Sequence, residues 1–381
     1  MMFFDDRVRF ERKPSNARFL RPIVGAMTIG MVFFFGMAGL QAQHSPEIGD
    51  DGKVTFRFRS ADATQVIAKG QFGESVALVK GEKGLWEGTT DKPVRAGVHE
   101  YHFEVDKLRV LDPRNNQVKP QRWPGTSVLH VPSDPPAPWD LQSVPHGTIH
   151  HHGYVSKALD GAWRELVVYS PPNIKGPIPV LYLAHGYSDE EKTWTVHGKA
   201  HWILDALIAD DQAEPMLIVM PDAHAIDPEG TAWDTYAPAN SEAFCQELMQ
   251  DVIPMIEQHY KVKKGASNRA LAGLSMGGHH ALTGALKYSE HFSQIGAFSS
   301  ATPPDDWVAS ALENTSTIND QLKLLWVACG DKDFLFERNE SIHASFEKAG
   351  LEHEYLVTPG DDHSWPVWRR YLASFVPKLF R

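Results

Sequence analysis

The sequence predicts an α/β protein preceded by a small all-β unit, and three observations carry that expectation. Up to about residue 132 the chain runs in short alternating stretches broken by turn residues. From residue 147 it changes to continuous Val/Ile/Leu runs separated by helix-patterned ones, and a glycine-flanked serine stands where one such run passes into a helix. At 381 residues the chain exceeds the usual single-domain range, and 42% apolar with 22% charged residues is an ordinary globular composition that can fill packed cores.

The first stretch stands apart. Arg7, Arg9, Arg12, Lys13, Arg18 and Arg21 precede an uncharged run from Pro22 to Leu40, "PIVGAMTIGMVFFFGMAGL", and "QAQ" follows with small Ala42 at a cleavage position. Residues 1–43 therefore read as an export signal, which places the rest of the protein in a periplasmic or extracellular space. The run is also long enough to cross a bilayer, so a membrane anchor over residues 22–40 is the alternative. Removing the net +3 of residues 1–43 from the total of −11 leaves about −14 on the remainder, which argues against nucleic acid or other polyanions as partners. Cys245 and Cys329 are the only cysteines, so no disulfide framework is implied, and two buried thiols are expected rather than one bridge.

From Lys53 to about Pro132 the runs "VTFRFRS", "TQVIAKGQF", "SVALVKG", "LWEGTT", "GVHEYHFEVD" and "SVLHVP" are separated by turns such as "GEKG" and "DPRNN". That spacing predicts a small immunoglobulin-like β-sandwich over residues 44–132. The proline-rich stretch "PSDPPAPWDLQSVPHG" cannot continue a sheet interior, so residues 133–146 are read as a linker.

Over residues 147–381 two strand-like runs lead into "IPVLYLAHG", "MLIVMPDAH", "RALAGLSMGG", "QIGAFSS", "LKLLWVACG" and "EHEYLVTPG", with helical segments such as "AHWILDALIAD" and "EAFCQELMQDVIPMIEQHY" between them. Continuous apolar strands between helices are covered on both faces, hence a mostly parallel sheet in the order of an α/β-hydrolase.

In such a sheet Ser275 of "LAGLSMGGHHAL" stands at the sharp turn between a strand and a helix starting near Met276. Gly273 and Gly277 are small because side chains there would collide, and the helix N-terminus favours negative charge. A serine hydroxyl is a weak nucleophile without a base. In this fold the acid and then the histidine follow the nucleophile along the chain. His363 in "GDDHSW" is the base. Asp333 in "DKDFLF" is the preferred acid and Asp331 the alternative, while Asp361 and Asp362 shape the histidine loop. An oxyanion needs two donors: the backbone N–H of Met276, and that of Tyr187 just after His185-Gly186.

Other features carry weaker chemistry. Consecutive histidines His150–His152 on a strand point to opposite faces and are read as an edge strand, not a metal site. Trp194, Trp233, Trp307 and Trp365 lie in or beside loops at the catalytic edge. Most read as packing residues, and Trp233, in the long connection after "MPDAH", is the candidate aromatic wall for a planar acyl group. Trp86 reads as a core aromatic before a sugar platform. No metal or cofactor is called for.

The blocks "PMLIVMPDAH", "FCQELMQDVIPMIEQHYKV", "NRALAGLSMGGHHAL", "VACGDKDFL" and "GDDHSWPVWRRYLASFVPKLF" resemble the esterase family that includes carbohydrate esterase family 1 and the enterochelin-esterase-like proteins. The resemblance runs across nearly all of residues 147–381 and implies Ser275, Asp333 and His363 as the triad. "VIAKGQF", "GLWEGTT", "GVHEYHFEVD" and "LDPRNN" resemble, more weakly, the early-set sandwich that precedes isoamylase-like enzymes and many such esterases, the carbohydrate-binding type among them. Together they imply an exported serine esterase acting on an esterified cell-wall polysaccharide or oligosaccharide, of feruloyl or acetyl-xylan esterase type. A siderophore trilactone esterase is the enzymatic alternative, and a non-catalytic carbohydrate-binding protein is the alternative from another class.

Overall fold

The computed structural model describes residues 44–381; the expected signal or anchor over residues 1–43 lies outside the described residues. Eight strands form the larger sheet: β1 Thr148–Val155, β2 Trp163–Ser170, β3 Val180–Ala184, β4 Leu217–Pro221, β5 Arg269–Leu274, β6 Gln294–Phe298, β7 Leu324–Gly330 and β8 Glu354–Thr358. Their order across the sheet is β1-β2-β4-β3-β5-β6-β7-β8. The pairs β1–β2 and β2–β4 are antiparallel and all later neighbours are parallel. This is an α/β-hydrolase-like arrangement, and it brings the carboxyl ends of β3, β5, β7 and β8 to one edge.

The two-residue period of a strand explains the two cores. On β3, Val180, Tyr182 and Ala184 join the layer under the helices Trp233–Glu247, Met276–Lys287 and Phe336–Ala349, whereas Leu181 and Leu183 face the helices Ala200–Ala209 and Trp365–Phe375. Cys245 and Cys329 are free and buried. Burial pushes the Cys329 thiol up to about 12 and that of Cys245 up as well, so neither is a reactive thiolate.

One boundary differs from the reading of the sequence. The helix expected to begin at Glu242 starts at Trp233 and carries Pro238 inside it. Its early turns lack a repeating apolar stripe because they bury polar Asn240 and Ser241, which bond instead to Ala223 and His279. Further on, a π-helical turn at Leu248–Val252 comes just before Pro254, whose missing N–H and ring do not fit an unbroken α-helical ladder.

Before the eight-stranded sheet, the strands Glu47–Ile48, Val54–Arg59, Val79–Lys80 and Leu85–Thr89 form one sheet. Val66–Gly70, Val76–Ala77, Gly97–Val105, Leu108–Val110 and Ser127–Val131 form another. Val54, Phe56 and Phe58 of the first share a core with Val66, Ala68, Tyr101 and Phe103 of the second. Trp86 is buried there, its Nε1–H donating to the Ser60 carbonyl at 3.0 Å. Residues 133–146 contain neither helix nor strand and are pinned by buried Asp140, whose carboxylate meets His130 Nε2 at 2.7 Å and accepts from the Ser133 and Ala137 amides. Residues 44–381, the N-terminal sheets included, pack as one compact body, and no helix among the described residues is long and apolar enough to cross a membrane.

Candidate active site

Ser275 caps the helix Met276–Lys287 directly after β5, with φ 53° and ψ −112°. A side chain in that region is strained, and it persists only where the surroundings over-determine it. The glycines around it show how. A Cβ on Gly273 would lie 2.5 Å from the Gly277 backbone. One on Gly277 would lie 2.5 Å from the Ala184 carbonyl and 2.7 Å from that of His185, and one on Gly278 would lie 2.8 Å from Ser300 Cβ. The helix thus packs directly on the end of β3. Because Gly277 faces backbone rather than a yielding side chain, Gly277→Ala is expected to destabilise the fold by about 1–3 kcal/mol. Gly176→Ala, where a Cβ meets nothing within 4 Å, is the control. Denaturant melts of both variants check this, and equal midpoints would refute it.

His363 follows β8 and Asp333 follows β7. His363 Nδ1 lies 2.9 Å and 3.0 Å from the two carboxylate oxygens of Asp333, and its Nε2 lies 3.0 Å from Ser275 Oγ. An ionised carboxylate only accepts, so Nδ1 carries the proton and Nε2 accepts from the serine hydroxyl. Burial alone pushes the Asp333 carboxyl up. The hydrogen bond and charge of His363 and the amide of Leu335 outweigh it and hold Asp333 below the usual carboxylate range. Asp331 is directed elsewhere: its Oδ1 accepts from the Gly360 amide at 2.7 Å and steadies the turn that leads to His363. Asp361 pairs with Arg370, and Asp362 accepts from the Ser364 hydroxyl, both within the histidine loop.

The loop after β3 reaches the serine from the other side. A Cβ on Gly186 would stand 3.6 Å from Ser275 Cβ, so the loop that carries Tyr187 packs against the Ser275 turn. His224 Nε2–H donates to the Tyr187 carbonyl at 2.8 Å, and its Nδ1 accepts from Tyr236 OH at 2.6 Å. His279 and His280, on the elbow helix, are buried and bond to Ser241 and Ala223.

Burial pushes several imidazoles down: His279 to about 4, His224 to about 4 with help from His185, and His201 to about 3 with help from Lys199. Above the ordinary value of 6.5 they are neutral folded and unfolded, and their contribution to stability is complete. As pH falls below 6.5 the unfolded chain binds protons that the native sites refuse, so stability is lost toward about pH 4. At pH 5 the loss is about 1–2 kcal/mol per imidazole. Chemical denaturation at pH 7.5 and pH 5 checks this, and equal stabilities would refute it.

Two details differ from the reading of the sequence. Trp233 is the first residue of a helix rather than part of a loop. It is 39% exposed and sits edge-on to Tyr187 at 5.6 Å, beside a cavity of about 290 Å³ shared with Pro238, His279, Pro303 and Arg338. His150 and His152 do share a face, as residues two apart on a strand must; they stack on each other at 6.4 Å, and each meets Tyr260 edge-on at 5.7 Å. Among the described residues no cluster of three or more His, Cys, Asp or Glu side chains could hold a metal ion. Trp194 and Trp365 are buried and packed at 5.0 Å, and Trp307 lies under the Lys287 ammonium. Phe334 was missed. It is 75% exposed, with its ring 4.4 Å from that of His363, and its only sequence signal is an aromatic directly after the acid. A larger cavity of about 730 Å³ lies among Phe72, Thr89, Arg95 and His99 of the N-terminal unit and contains none of this machinery.

Residues 156–379 match the Esterase family model, described as "Putative esterase". The chain belongs to this esterase family. An endo-1,4-beta-xylanase/feruloyl esterase of Xylanibacter ruminicola is 31% identical over 350 residues, which are 89% of this chain and 46% of that protein. The chain thus spans less than half of that relative's length. Among solved structures, a CE1 ferulic acid esterase of Anaeromyces mucronatus superposes with a TM-score of 0.54 at 24% identity, over 63% of this chain and 93% of that one. The enterobactin esterase of Shigella flexneri superposes with a TM-score of 0.62 at 19% identity, over 89% of this chain and 97% of that one. At those identities the esterase-family structures establish the fold.

Proposed function

We propose that this family member is a serine esterase that hydrolyses feruloyl or acetyl esters on plant cell-wall carbohydrate. The observation that supports the chemistry is the continuous contact from Asp333 through His363 to Ser275 Oγ, with His363 Nε2 3.0 Å from the hydroxyl. The likeness to a xylanase/feruloyl esterase supports the substrate class. Ser275 Oγ attacks the ester carbonyl while His363 Nε2 takes its proton, and Asp333 holds the ring and stabilises the imidazolium. The Met276 and Tyr187 amides receive the oxyanion. His363 then gives that proton to the sugar oxygen as its bond to the acyl carbon breaks, and water, activated by the same ring, releases the acid.

Phe334 and Trp233 extend the site as aromatic surfaces, the first over His363 and the second beside Tyr187. Both suit the planar ring of a feruloyl group. In this reading residues 44–132 are an early-set sandwich, 133–146 a linker and 147–381 the esterase domain, and the protein is exported to meet a polymeric substrate. The reading is tested by hydrolysis of methyl ferulate, acetylated xylan and an enterobactin-type trilactone. Ferulate or acetate release upholds it. Preference for the trilactone transfers the protein to the siderophore alternative, which the likeness of both units to an enterobactin esterase fold keeps specific. Failure of a fluorophosphonate to label Ser275 would point to a non-catalytic carbohydrate binder.

A further inference from the structure

The loop carrying Gly186 and Tyr187 is held from the N-terminal unit. Residues 119–123, which precede the strand Ser127–Val131, cross onto it: Gln121 pairs with Asp189 as an antiparallel bridge, and the Arg122 N–H donates to the Ser188 carbonyl at 3.0 Å. Just beyond, Thr193 Oγ1–H donates to the Pro120 carbonyl at 2.6 Å. Beneath this pairing Lys119 Nζ stands 3.4 Å from Asp189 Oδ1 and 3.3 Å from Glu100 Oε1. Lys119 is 6% and Asp189 2% exposed, so the charges meet out of contact with bulk water, where an orphaned partner is costly. Asp189 also closes the turn, its N–H donating to the Gly186 carbonyl at 3.1 Å. The Arg122 guanidinium lies 5.1 Å over the Tyr187 ring, and His224 holds the Tyr187 carbonyl.

We propose that Lys119 is a positioning residue for catalysis: by neutralising Asp189 inside the protein it fixes the turn at residues 186–189 so that the Tyr187 amide faces the developing oxyanion. The inference rests on the serine-esterase reading of Ser275 and adds that the N-terminal unit supplies part of the catalytic apparatus. Lys119 acts through Asp189 and touches no substrate. Losing an oxyanion donor costs about a hundredfold or more in rate, and displacing a catalytic group by about 1 Å can cost as much.

The test is steady-state hydrolysis of 4-nitrophenyl acetate by the otherwise unaltered chain carrying Lys119→Met or Asp189→Asn. The second variant leaves no orphaned buried carboxylate, so it remains informative where the first fails to fold. Each is expected to lower kcat about tenfold or more with KM within about twofold, because the lost interaction matters only in the transition state. Lys119→Arg recovers most of the rate. A boronic acid that forms a tetrahedral adduct on Ser275 Oγ weakens in step with kcat, which a purely structural role would not produce. Folded Asp189→Asn with the parental kcat overturns the proposal, as do losses confined to KM or to the folded fraction. The acetate ester asks nothing of sugar or feruloyl recognition. If the cell-wall reading fails, turnover of this ester by the parent survives; if the clamp fails, the variants match the parent.

Discussion

Replacing Ser275 by alanine is expected to lower kcat for methyl ferulate by about 10⁵–10⁶-fold while the protein stays folded. In the proposed mechanism the serine, the imidazole and the carboxylate act as one unit, so removing the nucleophile abolishes the covalent route whatever remains of the other two. What survives is the orienting effect of binding and of the Met276 and Tyr187 amides, which leaves a rate still above that of water. Alanine keeps the same Cβ at φ 53°, so it adds neither a clash nor new strain. Turnover, with folding monitored by thermal melting, reads the result. A variant within tenfold of the parent would remove Ser275 from the mechanism.

Asp333→Asn comes next in size, with an expected loss of about 10⁴-fold in kcat. The amide keeps the shape but can turn its NH₂ toward His363 Nδ1. That forces the proton onto Nε2 and leaves the ring unable to accept from Ser275. Asp331→Asn is the matched comparison, because its remaining carbonyl oxygen can still accept from the Gly360 amide, and its kcat is expected to stay within about threefold. Measuring both variants on one ester separates the two acids. Comparable losses would return the assignment to open competition between them.

Local necessities were the legible part of this protein. Gly273 and Gly277 can be read as demanded by a tight elbow because a Cβ at either would enter backbone, and the succession of apolar runs can be read as a covered sheet because burial on both faces leaves no alternation. The order of Ser275, Asp333 and His363 along the chain follows from strand connectivity. Residues whose partners are distant were not legible. Lys119 meets Asp189 across two units without any periodic trace, and the start of the helix at Trp233 is hidden because its buried side chains are partly polar. Phe334 escaped because an aromatic that remains exposed resembles any loop residue until its ring is seen over His363. The histidine strand is the edge strand expected, but alternation separates only neighbours, so His150 and His152, two apart, share a face.

The backbone of Ser275 has a consequence for how the protein responds to selection. Holding a side chain at φ 53° costs on the order of 1–3 kcal/mol, and glycine at the same place escapes that cost, although it forfeits some free energy through a more disordered unfolded chain. Thermal endurance and turnover therefore pull in opposite directions at this one residue. A screen that ranks variants by melting temperature alone has reason to retain Ser275→Gly, discarding the nucleophile while improving the score.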